Sequence, residues 1–145
     1  MSFNICIQGH YDGACFLYSL ANAYKALTGK RPSYKRWDAS LKDIPFVQDF
    51  LLFSGSERHA SHPELYKLTA ENVLNCKKSL KFKVTLHSVI SKNEELEKLI
   101  TKNSVLIVAV NEGEHWLALV DYDSDNFYAA CSYQPHVTAN DYEEL

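Results

Sequence analysis

The stretch "GACFLYSLANAYKALTG", residues 13–29, sets a cysteine at the head of a helix-periodic segment, behind two small residues and before an aromatic. A thiol attacks as its thiolate, and the positive end of a helix dipole favours that charged form. Elsewhere in a core a cysteine is only a small hydrophobe. Cys15 is thus a candidate nucleophile. Such a nucleophile needs an imidazole to take its proton and donors for the oxyanion formed on attack. His115 follows the loop residues "NEGE" and heads the apolar run "HWLALVDY", a place from which a ring can reach across a cleft. Gln8, seven residues before Cys15, could supply one oxyanion donor from its side-chain amide, and the Cys15 backbone N–H another.

Periodicity indicates the elements that must position these groups. Phe16, Leu17, Leu20, Ala21, Tyr24 and Leu27 recur at helical spacing, Asp12 or Gly13 can cap the start, and Gly29 with Pro32 makes the stop. Shorter helices are expected near 34–42, 46–53 and 63–77, with "SGSERHASHP" as an exposed loop between the last two. Residues 3–8 read as a short strand or extended arm. In the second half "KFKVTLHSV" reads as a strand, "NEELEKLIT" as a short helix, and "SVLIVAV" as a buried strand. "EHWLALVDY" and "NFYAACSY" make two further strands around the turn "DSDN". Helices first and antiparallel strands second describe one α+β domain. Its helical half runs to about residue 78 and its sheet half over about 79–135, with a short acidic tail, 136–145, expected to fray. The Cys15 helix would pack on the sheet that carries His115.

Bulk composition narrows the function class. A chain of 145 residues, 46% hydrophobic and 23% charged, suits a single globular core. A net charge of −3 with interspersed signs leaves no footprint for nucleic acid. Lys77, Lys78, Lys81 and Lys83 form the densest basic stretch and read as the solvated side of a helix end and edge strand. No apolar run is long enough to span a membrane, and the N-terminal residues lack the basic and apolar regions of a secretory signal. Cys6, Cys15, Cys76 and Cys131 are irregularly spaced without CxxC pairs, which favours reduced thiols in a cytoplasmic protein over a zinc ribbon or disulfide scaffold. His10, His59, His62, His87 and His136 read as surface or loop residues, and Cys6 and Cys76 as structural.

"GACFLYS" resembles the nucleophile segment of papain-like cysteine peptidases, with Gly13, Ala14, Cys15, Phe16 and Ser19 on the pattern. "HWLALVDYDSDNFYAACSY" resembles the histidine hairpin of that superfamily. The second half, with "NEELEKLITKNSVLIVAV" before the histidine, is similar in style to the compact leader-peptidase domains of bacteriocin exporters. The resemblance covers most of residues 5–135 and implies a papain-like fold with Cys15 as nucleophile, His115 as base and acid, and Gln8 as oxyanion donor. Two departures stand out. Gln8 lies seven residues before Cys15, slightly further than the family pattern puts it. Sixteen residues beyond His115, where papain-like enzymes carry Asn-Ser-Trp and the exporter branch an Asp, this chain reads Cys131-Ser132-Tyr133.

No nearby carboxylate replaces the missing one. Asp121 is six residues along the same strand, about 20 Å from His115, and Asp123 and Asp125 lie at the turn. The return strand is expected to bring residues near 131–134 beside His115, which leaves Cys131, Ser132 or Gln134 as the neighbours able to orient it. Cys131 reads otherwise as a buried core cysteine, as a redox partner of Cys15, or as a zinc ligand with Cys15 and His115, although that spacing matches no recognised metal motif. The resemblance implies a cofactor-independent hydrolase that cuts a peptide or isopeptide bond of a substrate lying between the two halves. The scaffold also hosts deamidases and acyltransferases, and a catalytically silent peptide-binding module is the rival from a different class.

Overall fold

The computed structural model describes residues 14–51, 57–75, 79, 81–87, 90–110, 115–132 and 143–144. Helix α1 (Cys15–Thr28) is its centre. Its cap is Ala14, with no side-chain cap bond, in place of the expected Asp12 or Gly13, which lie outside the described residues. The Ser19 hydroxyl donates to the Cys15 carbonyl at 2.8 Å, bracing the first turn. Gly29 ends the helix at φ 71°, a left-handed conformation that glycine adopts without a Cβ clash, and its N–H donates to the Lys25 carbonyl at 2.8 Å. Burial exceeds the expected amphipathic stripe: Leu17, Ser19, Leu20, Ala21, Asn22, Ala23 and Tyr24 are all buried. The reason is tertiary, since the sheet lies on one side of α1 and another helix on the other.

Around it stand α2 (Tyr34–Leu41), a 3-10 turn (Val47–Leu51), α3 (Glu57–Ser61) and α4 (Glu64–Leu74), with residues 52–56 outside the described set. Ser33 caps α2 by accepting from the Arg36 N–H. The stretch expected as an exposed loop is in part α3, and His59 within it is wholly buried rather than a surface residue. Its ring meets Phe50 edge-on at 4.8 Å and Tyr66 at 5.3 Å, and its Nε2 lies 3.0 Å from the Thr69 hydroxyl. Those partners come from the preceding turn and from α4, so a local polar pattern could not reveal them.

Of the residues expected as the strand "KFKVTLHSV", 81–87 form no strand and belong to no ladder, and 88–89 lie outside the described residues. Asn75 takes the place of a neighbouring strand: its Oδ1 accepts from the Phe82 N–H at 2.7 Å, and its Nδ2 donates to the Phe82 carbonyl at 3.2 Å. Phe82 and Val84 pack on the helical core while Lys81 and Lys83 face solvent. Helix α5 (Asn93–Leu99) then leads into the sheet.

β1 (Leu106–Val110), β2 (His115–Tyr122), β3 (Phe127–Ala130) and the two-residue β4 (Glu143–Glu144) form an antiparallel sheet in that order. Part of the acidic tail thus pairs with β3 instead of fraying, because Glu143 lies opposite Ala129 and Glu144 opposite Tyr128. The β2–β3 turn is pinned by Asp123. Its carboxylate accepts from the Tyr128 hydroxyl and from the N–H groups of Asp125 and Asn126, and these bonds, Tyr128 foremost, hold it below the usual carboxylate range. Helices packed on an antiparallel sheet make an α+β fold.

The sheet has two apolar faces. Ile107 and Trp116 join the helical core, and Ala118 with Ala130 meets Ala26 of α1. Leu117, Leu119 and Ala129 face the other way, onto Ile100. Among the described residues no helix is long and apolar enough to cross a membrane.

Burial pushes the His59 imidazole below its ordinary value, with Asp49 opposing more weakly. Its Nδ1 has no hydrogen-bond partner among the described residues. The unfolded chain therefore binds the extra proton first. The stability this ring contributes is complete above its unfolded pKa of about 6.5 and declines as pH falls from there towards the lower folded value. Urea midpoints should drop between about pH 7 and pH 5, and His59→Gln should flatten that slope. An unchanged slope in the variant would assign the acid sensitivity to other groups.

Candidate active site

Cys15 is the first residue of α1, in the turn whose N–H groups the helix's own ladder does not use, and its side chain is half-buried. His115 is the first residue of β2 and also half-buried. The residues that follow them touch. The ring of Phe16 meets Trp116 edge-on at 4.9 Å, and Tyr66 of α4 lies 4.9 Å from Phe16 and 4.7 Å from Trp116. This three-ring joint ties the start of the helix to the start of the strand. Cys15 and His115 are each next in sequence to one of its rings, and strand alternation sets the His115 side chain on the Leu117 face of β2, the opposite one from Trp116.

The second contact lies across the hairpin. His115 Nε2 is 3.0 Å from Cys131 Sγ. Ala118 pairs with Ala130, so one further step along the antiparallel register sets position 131 opposite Leu117, diagonal to His115 on the same face. Cys131 is buried, Ser132 beside it is buried too, and neither Cys15 nor Cys131 is in a disulfide. The contact has two chemical forms. If Nε2–H donates to sulfur, Nδ1 keeps the lone pair and can accept a proton. If the thiol donates to Nε2, the ring proton sits on Nδ1.

The remaining candidates separate. Gln8 lies outside the described residues, as do Cys6, Cys76, His10 and His136. Asp121 is spent locally, accepting from the Tyr122 N–H at 2.8 Å, and Asp123 is occupied by its turn. Among the described residues no three His, Cys, Asp or Glu side chains converge to hold a metal ion. Tyr66 was not singled out in the sequence. Its signal was the spacing to Ala70 and Val73 on one face of α4, which marks a core position but not a place beside Cys15.

No family model matches the chain, and neither a curated protein nor a solved structure matches it.

Two measurements check this geometry. Trp116→Leu removes both ring contacts and should cost about 1–3 kcal/mol of stability, read by urea unfolding. A loss near zero would dismiss the joint. Cys131→Ala should shift the side-chain nitrogen resonances of His115 and leave those of exposed His62 and His87 in place. An unmoved His115 would remove the sulfur contact.

Proposed function

We propose that the chain is a papain-like cysteine hydrolase that cleaves a peptide or isopeptide bond through a thioester. The observation that carries it is the Phe16–Trp116 contact, which joins the helix start bearing Cys15 to the strand start bearing His115. In this reading Nδ1 of His115 takes the Cys15 proton as the sulfur attacks the carbonyl carbon. The oxyanion is received by the Cys15 N–H and the Gln8 amide. The imidazolium then gives its proton to the departing amine as the C–N bond breaks. Water, deprotonated by the same ring, attacks the thioester, releasing the acid and restoring the thiol.

Cys131 acts here as the positioning residue. With Nε2–H donating to its sulfur, the ring keeps Nδ1 available for Cys15. A neutral thiol stabilises imidazolium less than a carboxylate does, so turnover is slow for the class. That same substitution favours a second reading, a peptide-binding module on the papain-like scaffold that has lost its chemistry.

Iodoacetamide labelling across pH, read by mass spectrometry under reducing conditions, separates the two. Cys15 of the hydrolase should label fast below about pH 6.5, well under the free-thiol value of about 8.5, and lose that reactivity in His115→Ala. Slow labelling that rises only near pH 8.5 in both proteins would leave the binding module. Within the hydrolase, Cys131→Asn should keep or raise kcat, whereas Cys131→Ala should lower it about tenfold or more and shift the pH profile. Equal profiles for the two variants would deny Cys131 its positioning role.

A further inference from the structure

A groove of about 1060 Å³ is lined by β1 and by the segment 81–87, and Phe16 and Trp116 also line it. Its volume lies just above the range of small-molecule pockets, ~300–1,000 Å³. Three features of its walls define what it fits. β1 is the outer strand of the sheet, and among the described residues no strand pairs with its far edge. Such an edge presents N–H and C=O groups to an added strand. Segment 81–87 has the alternation of a strand but takes its backbone bonds at Phe82 from Asn75, so it does not close that edge. The third feature is charge. Lys67, Lys81, Lys83 and Lys98 line the groove, and among the described lining residues there is no Asp or Glu. The whole chain carries 18 acidic residues against 15 basic.

The lysines are set in aliphatic walls, including Leu27, Ile90, Leu99 and Ile107, and Leu86 is 38% exposed there. Lys81 and Lys83 are exposed on either side of half-buried Phe82, and Val84 is half-buried again, the alternation of side chains along a strand. A phosphate polymer would meet the lysines but waste the apolar walls. An extended peptide uses both.

We propose that this groove takes an extended peptide in which aliphatic residues alternate with Asp or Glu, added as a strand to the edge of β1. Its carboxylates pair with Lys81 and Lys83, its aliphatic side chains fill the walls, and its backbone runs past Phe16 and Trp116. As the substrate class of Cys15 this rests on the hydrolase reading, although docking itself requires no chemistry.

The test uses the full chain carrying Cys15→Ser, to prevent turnover, and fluorescein-labelled peptides of alternating Glu and Val or alternating Lys and Val. Anisotropy should show the Glu peptide binding about tenfold or more tightly than the Lys peptide, weakening with salt. The exposed pair Lys81→Glu/Lys83→Glu, verified as folded by circular dichroism, should reverse the preference. Slower hydrogen exchange at β1 amides on binding would support strand addition. Equal binding of the two peptides, indifference to the charge reversal, or binding only to phosphatidylserine vesicles would overturn the proposal. The two ideas fail separately. Fast Cys15 labelling without peptide binding removes the groove's role, while binding beside an unreactive Cys15 supports docking and removes the hydrolase.

Discussion

The packing of α1 against β2 is the contact on which the other arrangements depend. It buries a helix on nearly all sides, brings two distant parts of the chain together, and is anchored at one end by the rings of Phe16, Tyr66 and Trp116. Small residues let the surfaces approach further along: Ala26 on the helix meets Ala118 and Ala130 on the sheet. Any chemistry shared between Cys15 and His115 depends on that joint staying closed.

The core is not purely apolar, and its polar members are concentrated around α1 and the His59 pocket. Ser19 satisfies its hydroxyl on the Cys15 carbonyl, and the Thr69 hydroxyl pairs with His59 Nε2, leaving His59 Nδ1 without a partner among the described residues. A buried polar group without a partner costs more than a hydrogen bond returns, so each of these pairs restricts which neighbours can pack there. His59 meets Phe50 and Tyr66, and Tyr66 in turn meets Phe16 and Trp116, so the rings form a continuous path from a buried imidazole to the residues beside Cys15. Protonating His59 would charge one end of that path in a site with little water to screen it.

Sulfur beside His115 gives the site its individual character. Carboxylate and carboxamide partners orient a ring through strong oxygen acceptors, while a thiol is a weak acceptor and a weak donor. The hairpin nevertheless places Cys131 within 3.0 Å of the imidazole. In the hydrolase proposed above, that contact would orient the ring while stabilising its charge less than a carboxylate does.

The segregated α+β class, the extent and glycine stop of α1, the hairpin around Asp123, and the nearness of Cys131 to His115 are all legible in the order of the residues. These follow from helical spacing, a left-handed turn residue and a two-residue strand period, all local rules. Tertiary packing set the burial of α1 on nearly all sides, the helical α3 with its buried His59, the capture of Phe82 by Asn75 in place of a strand ladder, and the pairing of Glu143–Glu144 with β3. Each of those depends on a partner far away in sequence. Local pattern reports which face of an element is apolar, but not which element arrives to cover it.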